Sequence, residues 1–322
     1  MPVIPALRAL LNSLPPRAPF DPADFPSVRQ ADLEGSNALA AQVAAGPLEV
    51  GSVQTAMVPV DGGEIGVRIY QPATAGPHPI HLYYHGGGWI TGTIEEAFVD
   101  IACRERTALA GYVTVAVEYR LAPEFKYPIP LEDSYAAMLW IVERAADYDA
   151  DPERVTVGGS SAGGNLAAAV ALKARDENGP RITFQVLEVP ALDLTLASPS
   201  IEQYGGGEYP LSRPEIDMCL AAYLPSTEAA TDPYASPLLA QDLSGLPPAY
   251  IISSELDPLQ MDGSRYAQRL QDAGVQAIFS LGKGHVHASS QFTKLLPEAA
   301  AWRDHVIAEL KAHASNHSGV IG

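Results

Sequence analysis

Gly159-Ser160-Ser161-Ala162-Gly163 constrains this chain more than any other stretch, because it sits where a strand hands over to a helix. Upstream lies the β-branched run Val155-Thr156-Val157, and downstream Asn165 to Leu172 is an alanine-rich helical run. Small residues at 159 and 163 let the backbone reverse sharply, so the serine between them stands at the tip of a tight turn. The pattern G-x-S-x-G also occurs by chance in other glycine-rich turns. Its meaning depends on what else the chain carries.

The second element lies earlier in the chain. His85-Gly86-Gly87-Gly88-Trp89 follows Ile80-His81-Leu82-Tyr83-Tyr84, an apolar run that reads as a buried strand. Consecutive glycines put bare backbone N–H groups beside a cavity, where they can hold a developing negative oxygen. A flexible glycine turn is the plainer reading of the loop taken alone. Its position before the serine matches the H-G-G-G loop of lipases and esterases, which supplies oxyanion donors there.

A serine turn of this kind is followed in the chain by Asp or Glu and then by His. The run Tyr250 to Ser254 ends in Glu255-Leu256-Asp257-Pro258-Leu259, carboxylates at the C-terminal edge of a strand, where sites in open α/β sheets are built. Ala277-Ile278-Phe279-Ser280-Leu281 reads as the last strand and leads into Gly282-Lys283-Gly284-His285-Val286-His287. Two carboxylates and two histidines are therefore candidates.

With these motifs in order, the chain resembles the hormone-sensitive-lipase-like family of α/β-hydrolase carboxylesterases. The resemblance rests on His85 to Trp89, Tyr119-Arg120-Leu121-Ala122-Pro123-Glu124, Gly159 to Gly164, Asp232 to Leu238, and Leu256-Asp257-Pro258-Leu259, and it covers residues 55 to 312. It implies Ser161 as nucleophile and Asp257 as the acid, with Glu255 the rival. It favours His287 over His285 as the base, because Pro297 follows His287 by ten residues and Asp257 precedes it by thirty. The other histidine is then expected on the surface or at a pocket rim. The resemblance also implies an oxyanion hole from the N–H groups of Gly87, Gly88 and Ala162. His85, Trp89, Ser160 and His285 are tentative pocket residues, although a core role suits Trp89 and Tyr84 equally. Two departures stand out: Ser160 replaces the family's usual Asp, and Ala288-Ser289 replace the usual Gly-Phe.

The predicted fold class is α/β, a mostly parallel central sheet flanked by helices with a helical cap. Strands are expected near 53–60, 65–70, 80–84, 113–117, 155–158, 184–188, 249–253 and 276–281, the first two as an antiparallel hairpin around Asp61-Gly62-Gly63. Helices are expected near 95–110, 131–146, 162–175, 261–273 and 298–312, with Gly111 and Gly274 closing two of them. Ile4, Leu7, Leu10, Leu11 and Leu14 recur at helical spacing. Residues 1–50 are accordingly read as an N-terminal cap segment, with a helix ended by Pro15-Pro16 and another over 38–45. Residues 51–193 and 227–322 form the catalytic core, and 194–226 supply a second cap segment.

Charge and cysteine content narrow the function. With 20 basic and 38 acidic residues the net charge is −18, which disfavours nucleic acid and anionic membranes as partners. The only cysteines, Cys103 and Cys219, stand far apart, and no metal-ligand cluster is evident. Free thiols in a reducing cytoplasm are the simplest reading, with no cofactor and no metal. No apolar run is long enough for a membrane span. The expected function is hydrolysis of short- to medium-chain carboxylic esters, with a homodimer suggested by the family alone. A lactonase or amidase on the same triad is the nearest rival. The rival from another class is a small-molecule receptor on this fold, as in plant gibberellin receptors, which lack the catalytic histidine.

Overall fold

The computed structural model describes residues 2–14 and 24–316. Eight strands form one sheet: β1 (Ser52–Val60), β2 (Gly63–Gln71), β3 (His78–Tyr84), β4 (Val113–Val117), β5 (Ala150–Ser160), β6 (Ile182–Glu188), β7 (Ala249–Leu256) and β8 (Ala277–Val286). Their spatial order is β1-β2-β4-β3-β5-β6-β7-β8. β1 and β2 make the expected antiparallel hairpin, in register from Ser52 opposite Gln71 to Val60 opposite Gly63. β2 is antiparallel to β4, and every pairing from β4 to β8 is parallel. Parallel strands covered on both faces read as unbroken apolar runs. All five residues of Val113–Val117 are buried, as that rule requires.

The sheet separates two layers. Helices α3 (Ala97–Ala110) and α9 (Pro297–Asn316) lie on one face, where Trp302, Val306 and Leu310 meet Phe184, Val186 and Ile252. Helices α4 (Ile129–Glu143), α5 (Ala162–Asp176) and α8 (Gln260–Asp272) lie on the other, sharing a core with Val157, Leu187 and Ile251. Neighbouring residues in a strand, such as Ile251 and Ile252, thus serve opposite cores. The alanines of α5, buried from Ala162 to Leu172, let that helix lie close against β5.

At the N-terminus, α1 (Pro5–Ser13) buries Leu7 and half-buries Ile4, Leu10 and Leu11, while Leu14 is exposed. Pro15 and Pro16 fall outside the described residues. The next helix differs from expectation: α2 runs from Phe25 to Val43 and not only over 38–45. Asp24 caps it by accepting from the N–H of Ser27, with Pro26 in the first turn. The apolar face is short, with only Phe25, Ala40 and Val43 buried. Polar contacts hold the rest, including Ser36 to Glu96 and the N–H of Ala97 to Asn37. A helix anchored this way leaves little hydrophobic periodicity to read. Between β6 and β7 the chain forms α6 (Pro199–Tyr204) and α7 (Arg213–Tyr223), the latter opened by a Ser212–Glu215 capping box.

Candidate active site

Ser161 stands between the end of β5 and the first residue of α5 with φ 57° and ψ −116°. A non-glycine residue is held there only where its surroundings over-determine the backbone. Two of those surroundings are close approaches. A Cβ on Gly163 would lie 1.9 Å from Tyr84 O, and one on Gly159 would lie 2.4 Å from the same oxygen. The turn can press against the end of β3 only because both positions lack a side chain. The N–H of Ser161 donates to Glu188 O at 2.8 Å, and the amide of Asn165 donates to Ala191 O and Ala235 O.

His287 lies just beyond β8. Its Nε2 is 2.9 Å from Ser161 Oγ and its Nδ1 is 2.7 Å from Asp257 Oδ2. Asp257 follows β7, and its other oxygen accepts the N–H of Leu259 at 2.9 Å. The Asp257 side chain is 1 % exposed, whereas that of His287 is 13 % exposed, enough to meet a ligand from one side. A carboxylate held at both oxygens fixes the ring it faces and selects the Nδ1–H tautomer, leaving Nε2 to accept a proton from serine.

The rival residues have other partners. Glu255 accepts the N–H of Gly284 at 2.7 Å. His285 is buried, not on the surface or at a rim: its ring meets Trp302 edge-on at 5.1 Å and its Nδ1 lies 2.8 Å from Ser289 Oγ. Because Ser289 donates to Val286 O, the shared proton comes from His285 Nδ1. Burial pushes the His285 pKa down and so disfavours the charged ring. Ser289, one of the two departures in this loop, thus ties the turn that presents His287. Its signal in the sequence was only a missing aromatic residue.

The loop after β3 runs alongside the serine: a Cβ on Gly86 would lie 3.6 Å from that of Ser161. The loop is braced from three directions. Tyr119 stacks beneath the His85 ring at 4.2 Å and donates to His85 O at 2.8 Å. The N–H of Ala122 donates to Trp89 O at 2.9 Å. Arg29, from α2, donates to Ile90 O and Ala122 O at 2.8 Å each and pairs with Glu124. The Tyr119 to Glu124 signature therefore supports this loop from behind, and Arg29 was not legible as its partner. His85 is buried, and desolvation lowers its pKa. Trp89 is buried against Tyr223, Tyr84 is a core residue donating to Ser134 O, and Ser160 is buried next to Ser161.

Beside the Asp257 turn sits a polar knot. Asp262 accepts the N–H groups of Leu192 and Asp193 and the hydroxyl of Ser198, which in turn accepts from Arg265. Burial, against the pull of these donors, pushes its pKa up to about 7. Among the described residues no group of three or more His, Cys, Asp or Glu could hold a metal ion. No helix among them is long and apolar enough to cross a membrane.

A profile of the α/β-hydrolase fold matches residues 81–291. The chain is 37% identical to the carboxylesterase NlhH of Mycobacterium tuberculosis over 314 residues, 95% of each protein. It is 36% identical to an arylesterase of Saccharolobus solfataricus, covering 74% of this chain and 77% of that one. A solved hyperthermophilic esterase from the archaeon Pyrobaculum calidifontis superposes with a TM-score of 0.90 at 36% identity, covering 98% of this chain and 99% of its own. The chain belongs to the hormone-sensitive-lipase-like family of α/β-hydrolase carboxylesterases, as the motifs implied.

Proposed function

We propose that the protein is a serine carboxylesterase acting on short- to medium-chain esters through Ser161, His287 and Asp257. The observation that carries this reading is the unbroken relay from Ser161 Oγ through the His287 ring to Asp257. A serine hydroxyl is a weak nucleophile, so His287 Nε2 takes its proton as Oγ attacks the ester carbonyl. Asp257 stabilises the imidazolium without itself becoming protonated. The N–H groups of Gly87, Gly88 and Ala162 receive the tetrahedral oxyanion, with the positive end of α5 at the same place. The imidazolium returns its proton to the leaving alcohol. Water then hydrolyses the acyl-enzyme with the same histidine as base.

Residues 1–50 and 194–226 serve in this reading as the cap that bounds the acyl pocket. Carboxylesterases and an arylesterase among the relatives support an ester substrate over an amide or a lactone.

The test is hydrolysis of p-nitrophenyl butyrate by the wild type and by Ser161→Ala, His287→Ala and His285→Ala. Turnover is expected to vanish in the first two variants and to persist in His285→Ala. Loss of turnover in His285→Ala with retention in His287→Ala would overturn the assignment of the base. A p-nitrophenyl ester series peaking at ten carbons or longer would sink the acyl-length reading.

A further inference from the structure

One face of α7 rests on the glycine loop through two side chains a single turn apart. A Cβ built on Gly88 would lie 2.5 Å from Cys219 Sγ and 3.2 Å from Cys219 Cβ, so the Cys219 side chain lies directly against that glycine. The Tyr223 ring stacks on the Trp89 indole with centroids 4.4 Å apart and planes 4° apart. Residues four apart on a helix share a face, so one helix face holds two consecutive loop residues. The end of α7 is itself fastened. Tyr223 O accepts the N–H of Tyr127 at 2.9 Å, and Lys126 Nζ donates to Ala221 O and Leu224 O.

The loop needs such a clamp. Gly88 has φ 60° and Trp89 has φ 61°, two successive residues in the left-handed region. For a bulky residue like Trp89 that conformation is strained and persists only when neighbouring contacts enforce it. The 90–92 backbone fixes the loop from below: the N–H groups of Ile90 and Thr91 both donate to Gly87 O. The stacked Tyr223 ring and the Cys219 side chain close it from above.

We infer that Cys219 and Tyr223 are positioning residues, holding the Gly87–Trp89 backbone in the conformation that presents its N–H groups to the reacting oxygen. α7 thereby couples the segment between β6 and β7 to the rate of the chemical step. This inference rests on the esterase reading of the site.

The experiment perturbs each contact separately and reads two rates. Tyr223→Leu removes the stack, whereas Tyr223→Phe keeps the ring and loses only a hydroxyl that finds no hydrogen-bond partner among the described residues. Methyl methanethiosulfonate thickens the Cys219 contact in the wild type: the thiolate attacks the sulfenyl sulfur, a disulfide forms, methanesulfinate leaves, and dithiothreitol reverses the change. Cys103, the other cysteine, is fully buried, and Cys219→Ala treated in parallel controls for it. The readouts are kcat and KM on p-nitrophenyl butyrate, and the rate at which a p-nitrophenyl alkylphosphonate labels Ser161. In that labelling the Oγ–P bond forms, p-nitrophenolate leaves and His287 takes the serine proton, so no turnover is needed. Circular dichroism verifies folding.

Tyr223→Leu and the methylthiolated wild type are expected to lose about tenfold or more in kcat and in labelling rate, as misplaced oxyanion donors do, with KM within about twofold. Tyr223→Phe should restore both rates, dithiothreitol should reverse the thiol effect, and the reagent should leave the rates of Cys219→Ala at that variant's own untreated values. Wild-type rates in folded Tyr223→Leu and in the methylthiolated protein would overturn the inference, as would equal loss in treated Cys219→Ala. A wild type that is labelled at Ser161 but does not hydrolyse the butyrate would count against the esterase reading alone, and the labelling rates would still decide the clamp. A wild type that does neither would sink both.

Discussion

Asp257 divides its two carboxylate oxygens between the ring of His287, at 2.7 Å, and the backbone N–H of Leu259, at 2.9 Å. The second bond comes from two residues further along the chain, so the carboxylate is oriented by its own turn before the histidine arrives. Glu255, two residues earlier, points instead to the N–H of Gly284.

Asp257→Asn should therefore keep the fold and lose activity. An amide at this position can favour the wrong histidine tautomer, and such an exchange costs about four orders of magnitude in kcat in triads of this type. Glu255→Gln, which can still accept from Gly284, should retain most of its turnover. Ester hydrolysis by the two variants side by side checks this, and the reverse ranking would make Glu255 the acid.

Arg29 joins three groups distant in sequence: Ile90 O, Ala122 O and the Glu124 carboxylate. Planar, forked donors suit such a contact, and an ammonium is a point charge that cannot reach all three. Arg29→Ala should lower stability by about 1–3 kcal/mol through the lost charge-assisted bonds to backbone oxygens. Arg29→Lys should recover only part of the loss. Urea denaturation of both variants measures it, and full recovery by lysine would show that the charge, not the fork, matters.

Asp262 predicts a pH dependence of stability. Its folded pKa is raised to about 7, mainly by burial, so between the usual carboxylate range and about pH 7 the folded protein holds a proton that the unfolded chain has released. Stability from this group is complete at acid pH and falls as pH rises through that window, by up to about 1.4 kcal/mol per pH unit. Asp262→Asn imitates the neutral acid: its oxygen can accept from Leu192 and Asp193 while its NH2 donates to Ser198. Melting temperatures from pH 5 to 8 should fall more steeply for the wild type than for Asp262→Asn. Parallel profiles would mean that the three donors keep the carboxylate charged throughout.

The sheet was legible in the sequence because its central strands are buried on both faces and bounded by turn residues. Val113–Val117 and Tyr250–Ser253 need no partner to be recognised as strands. The serine turn was legible for a related reason: Gly159 and Gly163 record close contacts with Tyr84 in residue identity itself. What escaped depended on tertiary contact. The N-terminal half of α2 is held by polar bonds to residues about sixty or more positions away, such as Arg29 to Ile90 O. The place of His285 follows from Trp302 and Ser289 closing around it, and no local pattern foretells either contact. A histidine in a loop reads as exposed until the helix that covers it is in place.

Arg106 braces the sheet beside Ser161. Its guanidinium is buried between the Tyr83 ring, 4.7 Å away, and the carboxylate of Glu188, whose backbone oxygen accepts the N–H of Ser161. The pair therefore lies directly behind the Ser161 turn. Removing one partner leaves the other charge buried without compensation, which typically costs about 3–5 kcal/mol, whereas replacing both by apolar groups of similar volume is often neutral. Arg106→Met alone should be strongly destabilising, and adding Glu188→Leu should recover much of the loss. Denaturant unfolding of the two single variants, the double variant and the wild type gives the coupling energy directly. Because the hydrogen bond from Ser161 goes to the main chain of Glu188, the double variant should also keep most of its esterase turnover. A double variant that is stable but inactive would show that the buried charges act on the serine turn itself.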